Sequence, residues 1–550
     1  MEFQFSASSH FKQFKSLSTG RFDVIVIGGG ITGAGIAVDA AKRGLKVVLF
    51  EKGDFASGTS SRSTKLIHGG LRYLKQLEIG LVREVGMERS IVHKMAPHMV
   101  IPEKMLLPLV EDGTFGKWAT SLGLWVYDVL AGVDGDDRRE MLNQEETLAK
   151  EPLLNPEKLI GSGYYAEYRT DDARLTIENM KRAAQLGAMP FNYCHVKEFI
   201  YKKSKAVGVK VFNEITGEEI EVKSNYIINA AGPWVDTLRD QDHSLEGKRL
   251  HLTKGVHIVV PHAKFPLKQA VYFDVPDGRM IFAIPRGKIT YIGTTDTDYK
   301  DNKDLVLTKK EDADYLLSAV MNTFPSVHLT IKDVCSSWAG LRPLIHEDGK
   351  SASELSRKDE IFESESGLLS IAGGKLTGYR KMAERIVDVV MERMYEKNEH
   401  KFVKCSTDSL TLPGGDFKNY KEVEKYTSAI EKALKKLGAA PYESWYLVST
   451  YGKQTDTILS MLPDYQQVND IREKLLMAEL DFSFENEMIC KPVDYLVQRS
   501  GRLYFDIDSV NEFSHLTLKY FAKKFGWGED RIALEKQAID EALKRVTTFA

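Results

Sequence analysis

Three closely spaced glycines, Gly28, Gly30 and Gly33, join a short apolar strand to a helix near the start of the chain. The apolar pattern predicts the strand at residues 23–27, the helix at 31–43 and a second buried strand at 46–50. A strand, a helix and a strand over about thirty residues form a parallel βαβ unit. A chain with this unit must build a layered α/β fold, because both faces of a parallel sheet need helices to cover them.

Each glycine of the loop has a separate steric role. Gly28 permits a tight turn, Gly30 lets a pyrophosphate approach the backbone, and Gly33 lets the helix pack against the strand. The helix N-terminus adds unpaired N–H groups and a partial positive charge. Glu51 ends the second strand and can accept hydrogen bonds from a ribose diol. The loop is therefore predicted to bind a dinucleotide, and a purely structural βαβ turn is the alternative interpretation.

The sequence favours FAD among the dinucleotides. The acidic Glu51 disfavours NADP. Residues 226–232 are predicted to form a strand ending in small residues at Gly232, a pattern typical of the adenine side of two-domain flavoproteins. Residues 369–375 end a late strand and open a helix, whose dipole can stabilise the anionic edge of a reduced flavin. NAD dehydrogenases usually keep the glycine motif in one contiguous domain, whereas here the nucleotide-binding pieces lie on both sides of an insertion.

The pattern divides the chain into an α/β body at 20–400 and a helical domain at 405–550. The body is predicted to be a Rossmann-like FAD-binding domain with an inserted antiparallel β-sheet domain for the substrate. Short alternating strands at 197–229 and a hairpin at 280–293 support the insertion, and helices are predicted at 420–437 and 530–547. The expected FAD-binding segments are about 20–110, 160–235 and 335–400, and the expected substrate-binding segments about 110–160 and 235–335.

Composition excludes several classes of function. The 75 basic residues balance 78 acidic ones, and the net charge of −3 argues against a nucleic-acid partner bound by bulk charge. The four cysteines include no Cys-x-x-Cys pair, which excludes a disulfide scaffold and the common zinc spacings and fits a reducing compartment. No metal site is expected. No apolar run is long enough to cross a membrane, and the first residues lack the apolar core of a secretory signal. These features predict a cytoplasmic protein.

The run at residues 59–74, TSSRSTKLIHGGLRYL, resembles the flavin-contacting segment of the FAD-dependent glycerol-3-phosphate dehydrogenases. The resemblance covers residues 20–400 closely and the helical tail in size and character. It implies oxidation of sn-glycerol 3-phosphate to dihydroxyacetone phosphate, with electrons passing through FAD to a membrane quinone. The further matching motifs lie at residues 95–98, 171–175, 253–257, 293–296, 340–344 and 373–380.

A phosphorylated substrate requires several cations, preferably arginine forks. Arg342, Arg357 and Lys375 lie in or beside the late motifs, and Arg72, next to Tyr73, lies in the early one. A surface salt bridge is the alternative for any single arginine, but four cations in these motifs favour a phosphate site. All five residues are expected to bind the substrate, and Arg342 is also expected to take part in catalysis.

Two histidines are candidates for the base that takes the proton of the substrate C2 hydroxyl during hydride transfer to the flavin. His68 precedes two glycines in the segment expected beside the flavin, and His257 is expected to open a strand of the inserted sheet on the substrate side. Which one is the base stays open, and a structural role is the alternative for each. The residues expected to contact FAD are Gly28, Gly30, Thr32, Gly33, Glu51, Lys52, Ser60, Ser61, Lys65, Gly69, Gly232, Gly374, Lys375, Leu376 and Thr377.

Three other functions compete with this interpretation. An oxidase of the same family passes electrons to oxygen and carries an extra insertion late in the body, for which the stretch between Arg342 and Lys375 leaves no room. An amino-acid oxidase fits the cation set poorly, and a non-catalytic FAD-binding protein need not keep these cations.

A quinone acceptor suggests a peripheral position on the inner face of the cell membrane. Phe11 and Phe14 beside Lys12 and Lys15 could dock weakly on anionic lipid, with a floppy tail as the alternative. A second copy of the chain is a further candidate partner, in a homodimer.

Overall fold

The computed structural model describes residues 3–67, 79–111, 139–346 and 359–549. Its strands are, in chain order, β1 (Arg21–Ile27), β2 (Val47–Phe50), β3 (Leu66–Ile67), β4 (Ile101–Val110), β5 (Glu140–Leu142), β6 (Leu159–Arg169), β7 (Met189–Phe191), β8 (Cys194–Lys202), β9 (Lys205–Asn213), β10 (Glu219–Asn229), β11 (Leu250–Pro261), β12 (Ala270–Asp274), β13 (Met280–Arg286), β14 (Ile289–Gly293), β15 (Thr297–Asp298), β16 (Ser336–Ile345), β17 (Asp359–Glu363) and β18 (Leu369–Gly373).

The helices of the described residues alternate with strands in the body and follow one another after residue 405. They are α1 (Ala7–Ser16), α2 (Ile31–Lys42), α3 (Ile79–Met95), α4 (Gln144–Lys150), α5 (Asp172–Gln185), α6 (Val235–Gln241), α7 (Lys310–Thr323), α8 (Tyr379–Glu396), α9 (Tyr420–Lys435), α10 (Pro441–Tyr451), α11 (Thr455–Ser460), α12 (Ile471–Asn486), α13 (Pro492–Asp494), a π-helical turn at Tyr495–Arg499, α14 (Arg502–Phe505), α15 (Ile507–Phe525) and α16 (Glu529–Thr547).

The first sheet has the order β17-β18-β10-β1-β2-β7, and β8 and β9 extend it from β10. Strands β18, β10, β1, β2 and β7 are parallel. The predicted βαβ unit is confirmed, with Val24 of β1 opposite Val47 of β2 and α2 between the two strands. Ile36 of α2 and Val387 of α8 share the apolar core with these strands. The buried residues of β2 follow one another without alternation, as expected for a strand covered on both faces.

The second sheet has the order β15-β11-β14-β13-β12-β4-β6-β3, with β16 on β11 and β5 on β6. Its strands are antiparallel except for the parallel pair of β12 and β4. The predicted hairpin is confirmed as β13 and β14. Leu316 and Val320 of α7 and Phe324 just beyond it pack on one face of this sheet with Val256 and Ile258 of β11.

The second sheet draws on more of the chain than its predicted segments. Strands β3, β4, β6 and β16 belong to it, although the sequence pattern assigned their residues to FAD-binding segments. By contrast, β8–β10 join the first sheet, which agrees with the predicted FAD-binding segment 160–235, although their alternation had suggested the insertion. The reason is that alternation reports how a strand is buried, whereas sheet membership depends on its pairing partner. β4 and β6, for example, pair along almost their whole length.

The residues after 405 form a helical layer against the second sheet. The helices predicted near the ends of this region are confirmed as α9 and α16. Helices α9, α10 and α12 share a core of their own, which includes Leu447 and Phe482. Leu496 and Phe505 of the later helices share another core with Tyr291 and Trp338 of the second sheet. The helical domain therefore packs against the body through apolar contacts.

The N-terminal segment is a helix packed on the body, so the floppy-tail interpretation is wrong. Phe14 is completely buried, and its ring centroid lies 6.1 Å from that of Phe191. The His10 ring shares a 3.1 Å hydrogen bond with the Asn192 carbonyl, and Phe11 lies against Phe525. A buried Phe14 cannot enter a lipid surface, which removes one of the two aromatic residues of the predicted membrane contact. Within the described ranges, no helix has the length and apolar character needed to cross a membrane.

Candidate active site

A cavity of about 340 Å³ lies between the two sheets. The ends of β1, β2, β10 and β18 form one side, at Gly28, Glu51, Ala231 and Gly373. Gly340 and its neighbours in β16 contribute to the opposite side. Ligands of open parallel sheets bind at the carboxyl ends of the strands, where this cavity lies.

The glycine loop has room for backbone only. Gly28 has φ of +113°, and a Cβ atom on it would lie 2.6 Å from the Ala230 carbonyl oxygen. A Cβ atom on Gly33 would lie 1.9 Å from the Gly28 carbonyl oxygen. Any side chain at either position would push the loop away from β10 or α2. These distances support the predicted steric roles of Gly28 and Gly33.

Glu51 lies on the cavity wall with both carboxylate oxygens anchored. One oxygen accepts a 2.6 Å hydrogen bond from Gly29 N–H and the other a 2.8 Å bond from Gly53 N–H. Burial raises the pKa of the Glu51 carboxyl, while these two N–H groups oppose the rise. Each carboxylate oxygen can accept a further hydrogen bond. A fixed acceptor of this kind fits the ribose diol of a dinucleotide.

The start of α2 forms the adjoining wall. The Ser60 hydroxyl oxygen accepts a 3.0 Å hydrogen bond from Ile31 N–H, and both Ser60 and Thr32 line the cavity. Lys52 also lines it, with its ammonium 2.5 Å from Asp304 and 4.4 Å from the ring centre of Trp234. The N-terminus of a helix beside a cavity is a ready binding site for a pyrophosphate.

Ser61 and Lys65 lie behind this wall, not on it. Lys65 is almost completely buried, and its ammonium lies 2.5 Å from Asp172 and 2.9 Å from the Ser61 carbonyl oxygen. Direct contact of either residue with FAD is therefore not supported. The run 59–65 reads as one motif in sequence, but the buried carboxylate of Asp172 draws the lysine inward.

The other end of the cavity is formed where β18 turns into α8. Gly373 and Gly374 both have left-handed backbone, with φ of +81° and +76°. A Cβ atom on Gly374 would lie 2.4 Å from the Met382 sulfur. These glycines, together with Lys375, Leu376 and Thr377, line the cavity, and Gly232 lines it from the end of β10. The predicted second nucleotide-binding segment therefore faces the same cavity as Glu51.

Arg342 enters the cavity from the second sheet. Its guanidinium donates hydrogen bonds of 3.1 Å to the Thr295 carbonyl oxygen, 3.1 Å to the Asp296 carboxylate and 2.8 Å to the Thr294 hydroxyl. Arg342 and Lys375 line the same cavity, as the predicted phosphate site requires. From sequence, residues 293–296 were only a motif that matches the family and had no predicted role, because a hydrogen bond to a distant arginine leaves no local pattern.

His257 lies inside β11 and not at its start, one side chain away from the cavity. The ring is buried, stacks on Trp338 with centroids 4.9 Å apart, and shares a 3.1 Å hydrogen bond with the hydroxyl of Thr64, which lines the cavity. Its Nδ1 atom has no hydrogen-bond partner among the described residues. Burial lowers the pKa of His257 well below its ordinary value, and the charges of Arg342 and Lys65 lower it further. These effects favour the neutral imidazole over the imidazolium.

Several predicted residues cannot be placed, because they lie outside the described ranges. These are His68, Gly69, Arg72, Tyr73 and Arg357. The cavity wall in turn includes residues that received no predicted role, namely Arg62, Thr64, His195 and Trp234. Arg62 and Thr64 belong to the run that resembles the flavin-contacting segment, and their position in that run could have identified them as cavity residues.

Two family models match most of the chain. One, described as FAD dependent oxidoreductase, matches residues 23–380. The other, described as the C-terminal domain of alpha-glycerophosphate oxidase, matches residues 405–532. The first range contains the two sheets and the cavity, and the second contains most of the helical domain.

Similar proteins cover almost the full length. The aerobic glycerol-3-phosphate dehydrogenases of Bacillus subtilis (strain 168) and Staphylococcus aureus (strain USA300) are 50% and 49% identical over 532 residues, which is 96% of this chain and 96% of theirs. The solved glycerol-3-phosphate dehydrogenase from Bacillus halodurans complexed with FAD matches with a TM-score of 0.84 and 43% identity over 99% of both chains.

A more distant solved structure shows the same fold. The L-alpha-glycerophosphate oxidase from Mycoplasma pneumoniae with FAD bound has a TM-score of 0.56 and 20% identity, over 72% of this chain and 99% of that one. The anchored Glu51, the start of α2 and the glycine turn at the end of β18 fit FAD, as the matching family requires. The chain therefore belongs to the FAD-dependent glycerol-3-phosphate dehydrogenase family.

Proposed function

We propose that the protein oxidises sn-glycerol 3-phosphate to dihydroxyacetone phosphate and passes the electrons to a quinone. The observation that carries this proposal is the position of Arg342, whose anchored guanidinium lies in the same cavity as the dinucleotide-binding wall around Glu51. A phosphate cation and a dinucleotide site in one cavity can bring a phosphorylated substrate beside a bound redox group. The names of the similar dehydrogenases support the same substrate.

The residues of the first sheet would hold FAD, which when bound supplies the acceptor for a hydride. Glu51 would accept hydrogen bonds from the ribose, and the start of α2 near Thr32 would face the pyrophosphate. The turn at residues 373–377 would supply backbone N–H groups and the positive end of a helix dipole. These residues would orient the group and exclude water from one side of it.

Arg342 would bind the substrate phosphate and keep the reacting carbon at one place in the cavity. The guanidinium is held by three oxygen atoms of residues 294–296, so it need not be ordered when the substrate arrives. Lys375 would add a second positive charge from the opposite wall. Arg72, Tyr73 and Arg357 remain proposed members of this set on the basis of the resemblance.

His257 would take the proton of the C2 hydroxyl through Thr64. A neutral imidazole can accept a proton at Nε2, and the Thr64 hydroxyl between it and the cavity can relay one. Because its lowered pKa disfavours the imidazolium, His257 would hold this proton only briefly, while the hydride leaves the substrate carbon. His68 is the alternative base, and its role rests on the resemblance alone.

The quinone acceptor implies work at the inner face of a cell membrane, with the remainder of the protein in the cytoplasm. Weak peripheral contact with anionic lipid remains part of the proposal, but not through the buried Phe14. The oxidase is the second candidate function, because the family model that matches residues 405–532 carries an oxidase name.

Reoxidation of the reduced holoenzyme separates the two acceptors. The enzyme is first reduced without oxygen by glycerol 3-phosphate and is then mixed either with a water-soluble quinone or with air-saturated buffer. The proposal predicts rapid return of the flavin colour with quinone, slow return with air, and little hydrogen peroxide. Rapid return with air and one peroxide per flavin would assign the oxidase function instead.

A further inference from the structure

Two glycines face each other across strands β11 and β16 on the cavity wall. Gly255 and Gly340 are direct partners in the register of this antiparallel pair, and both line the cavity. A Cβ atom on Gly255 would lie 2.3 Å from a terminal nitrogen of Arg342, and one on Gly340 would lie 2.9 Å from the Cβ atom of Arg62. Directly opposed residues of such a pair lie about 5 Å apart. The Cβ atom of Arg62 and the guanidinium of Arg342 therefore lie over neighbouring positions of the same small patch of the sheet.

Arg62 and Arg342 differ in what holds them. Arg342 donates hydrogen bonds to three groups, one of which is the carboxylate of Asp296. Arg62 lines the cavity and is half-buried, yet within the described ranges its guanidinium pairs with no carboxylate or other acceptor. The backbone at Arg62 is fixed, because its N–H donates a 3.0 Å hydrogen bond to the Thr59 carbonyl oxygen. The result is a permanent cation at the wall of a binding cavity.

The charge balance at this patch favours an anionic ligand. Asp296 offsets much of the charge of Arg342, so this arginine contributes oriented hydrogen-bond donors more than net positive charge. A phosphate dianion needs additional cations and is bound best by paired guanidinium forks. Arg62 lines the same cavity, and its Cβ atom lies over Gly340, so its side chain can supply such a cation beside Arg342 without moving any element of the fold.

We propose that Arg62 is a substrate-binding residue and that its guanidinium and that of Arg342 together bind the phosphate of glycerol 3-phosphate. This inference rests on the proposed function. FAD also carries phosphates. The backbone and Cβ atom of Arg62, however, lie over Gly340 of the second sheet, whereas the wall proposed for the pyrophosphate is formed by the start of α2, which follows β1 of the first sheet. Ser60 contacts that wall, and the chain has crossed to the second sheet by Arg62.

Binding of dihydroxyacetone phosphate to the oxidised holoenzyme tests the proposal without turnover. The dissociation constant is read from the change in flavin absorption for the wild type, Arg62→Ala and Arg62→Lys, and FAD affinity is measured separately by fluorescence. Because Arg62→Ala loses a charge-assisted hydrogen bond, its dissociation constant for dihydroxyacetone phosphate should rise by about 10- to 100-fold. Arg62→Lys should recover part of the loss, and FAD affinity should stay unchanged. Arg21→Ala, at the far end of β1, is the matched control and should bind as the wild type does.

The outcomes separate the sources of phosphate. Unchanged product binding with weakened FAD binding would assign Arg62 to the cofactor and overturn the proposal. Unchanged affinity for both ligands would overturn it as well. If Arg62→Ala does not retain FAD, product binding and FAD affinity are measured in Arg62→Lys and Arg62→Gln instead. Product binding equal to that of the wild type in both variants would refute the proposal. A wild-type enzyme that binds no product would reject the proposed function itself.

Discussion

Arg499 of the helical domain holds the loop that follows β2, so its loss should weaken FAD binding indirectly. Its guanidinium donates hydrogen bonds of 2.6 and 3.0 Å to the two carboxylate oxygens of Asp54, and the pair is almost completely buried. Asp54 follows Gly53, whose N–H group holds the carboxylate of Glu51. Ala56 N–H donates a 3.0 Å hydrogen bond to the Gly29 carbonyl oxygen and links this loop to the glycine loop. The helical domain thereby fixes both parts of the dinucleotide wall.

Replacement of Arg499 by methionine leaves the Asp54 carboxylate buried without its cation. Removal of one partner of a buried ion pair costs about 3–5 kcal/mol. The Glu487 carbonyl oxygen also loses two donated hydrogen bonds, of 3.0 and 2.9 Å, which places the expected loss in the upper part of that range. A displaced Glu51 would lose hydrogen bonds worth about 1.5–3 kcal/mol, so the dissociation constant of FAD should rise by about 10- to 100-fold.

Urea unfolding followed by circular dichroism measures the first effect, and a fluorescence titration with FAD measures the second. Arg472→Met is the control, because Arg472 and Glu512 form an exposed pair in the same domain and should contribute about 1 kcal/mol or less. The double variant Asp54→Asn/Arg499→Met should recover much of the lost stability, since it leaves no buried charge unpaired. Stability and FAD affinity in Arg499→Met equal to those in Arg472→Met would refute the reasoning.

Three further predictions concern single side chains. Glu51→Ala should raise the dissociation constant of FAD by about 10- to 100-fold in a fluorescence titration, and unchanged retention would remove Glu51 from the ribose site. Arg342→Ala should weaken reduction by glycerol 3-phosphate far more than the slow reduction by glycerol supplied at a much higher concentration in rapid-mixing experiments, whereas equal losses would place Arg342 outside the phosphate site. Burial and the nearby Asp54 charge raise the pKa of Asp494 to about 7, so its contribution to stability is complete at acid pH and is lost as pH rises through 7. Asp494→Asn should therefore gain stability over the wild type between pH 4 and 8 in urea unfolding, and a pH-independent difference would contradict the raised pKa.

Local physical requirements explain which parts could be predicted. The βαβ unit follows from a run of apolar residues, a glycine turn and a helix within one short stretch, and the structure has all three in place. Gly28 and Gly33 are needed because backbone passes where a side chain would stand. Helices α9 and α16 carry their apolar residues at helical spacing and were equally visible.

Features that depend on distant partners could not be predicted. Lys65 lies in a motif that suggests FAD contact, but the buried Asp172 pairs with it. His257 has no pattern that shows its burial against Trp338. The strands β4 and β16 could not be assigned to a sheet from sequence, because an apolar strand fits either of the two sheets. The N-terminal helix is stable only because the body covers Phe14, which is a tertiary contact.

Anaerobic titration of the oxidised wild-type holoenzyme tests the central claim most directly. Glycerol 3-phosphate and glycerol are added in separate experiments, and the visible absorption of the flavin and the amount of dihydroxyacetone phosphate are measured together. The account predicts that glycerol 3-phosphate bleaches the flavin completely and yields one dihydroxyacetone phosphate per flavin, while glycerol at the same concentrations leaves the flavin oxidised. A flavin that stays oxidised with glycerol 3-phosphate, or that glycerol reduces equally well, would contradict a phosphate-directed oxidation in this cavity.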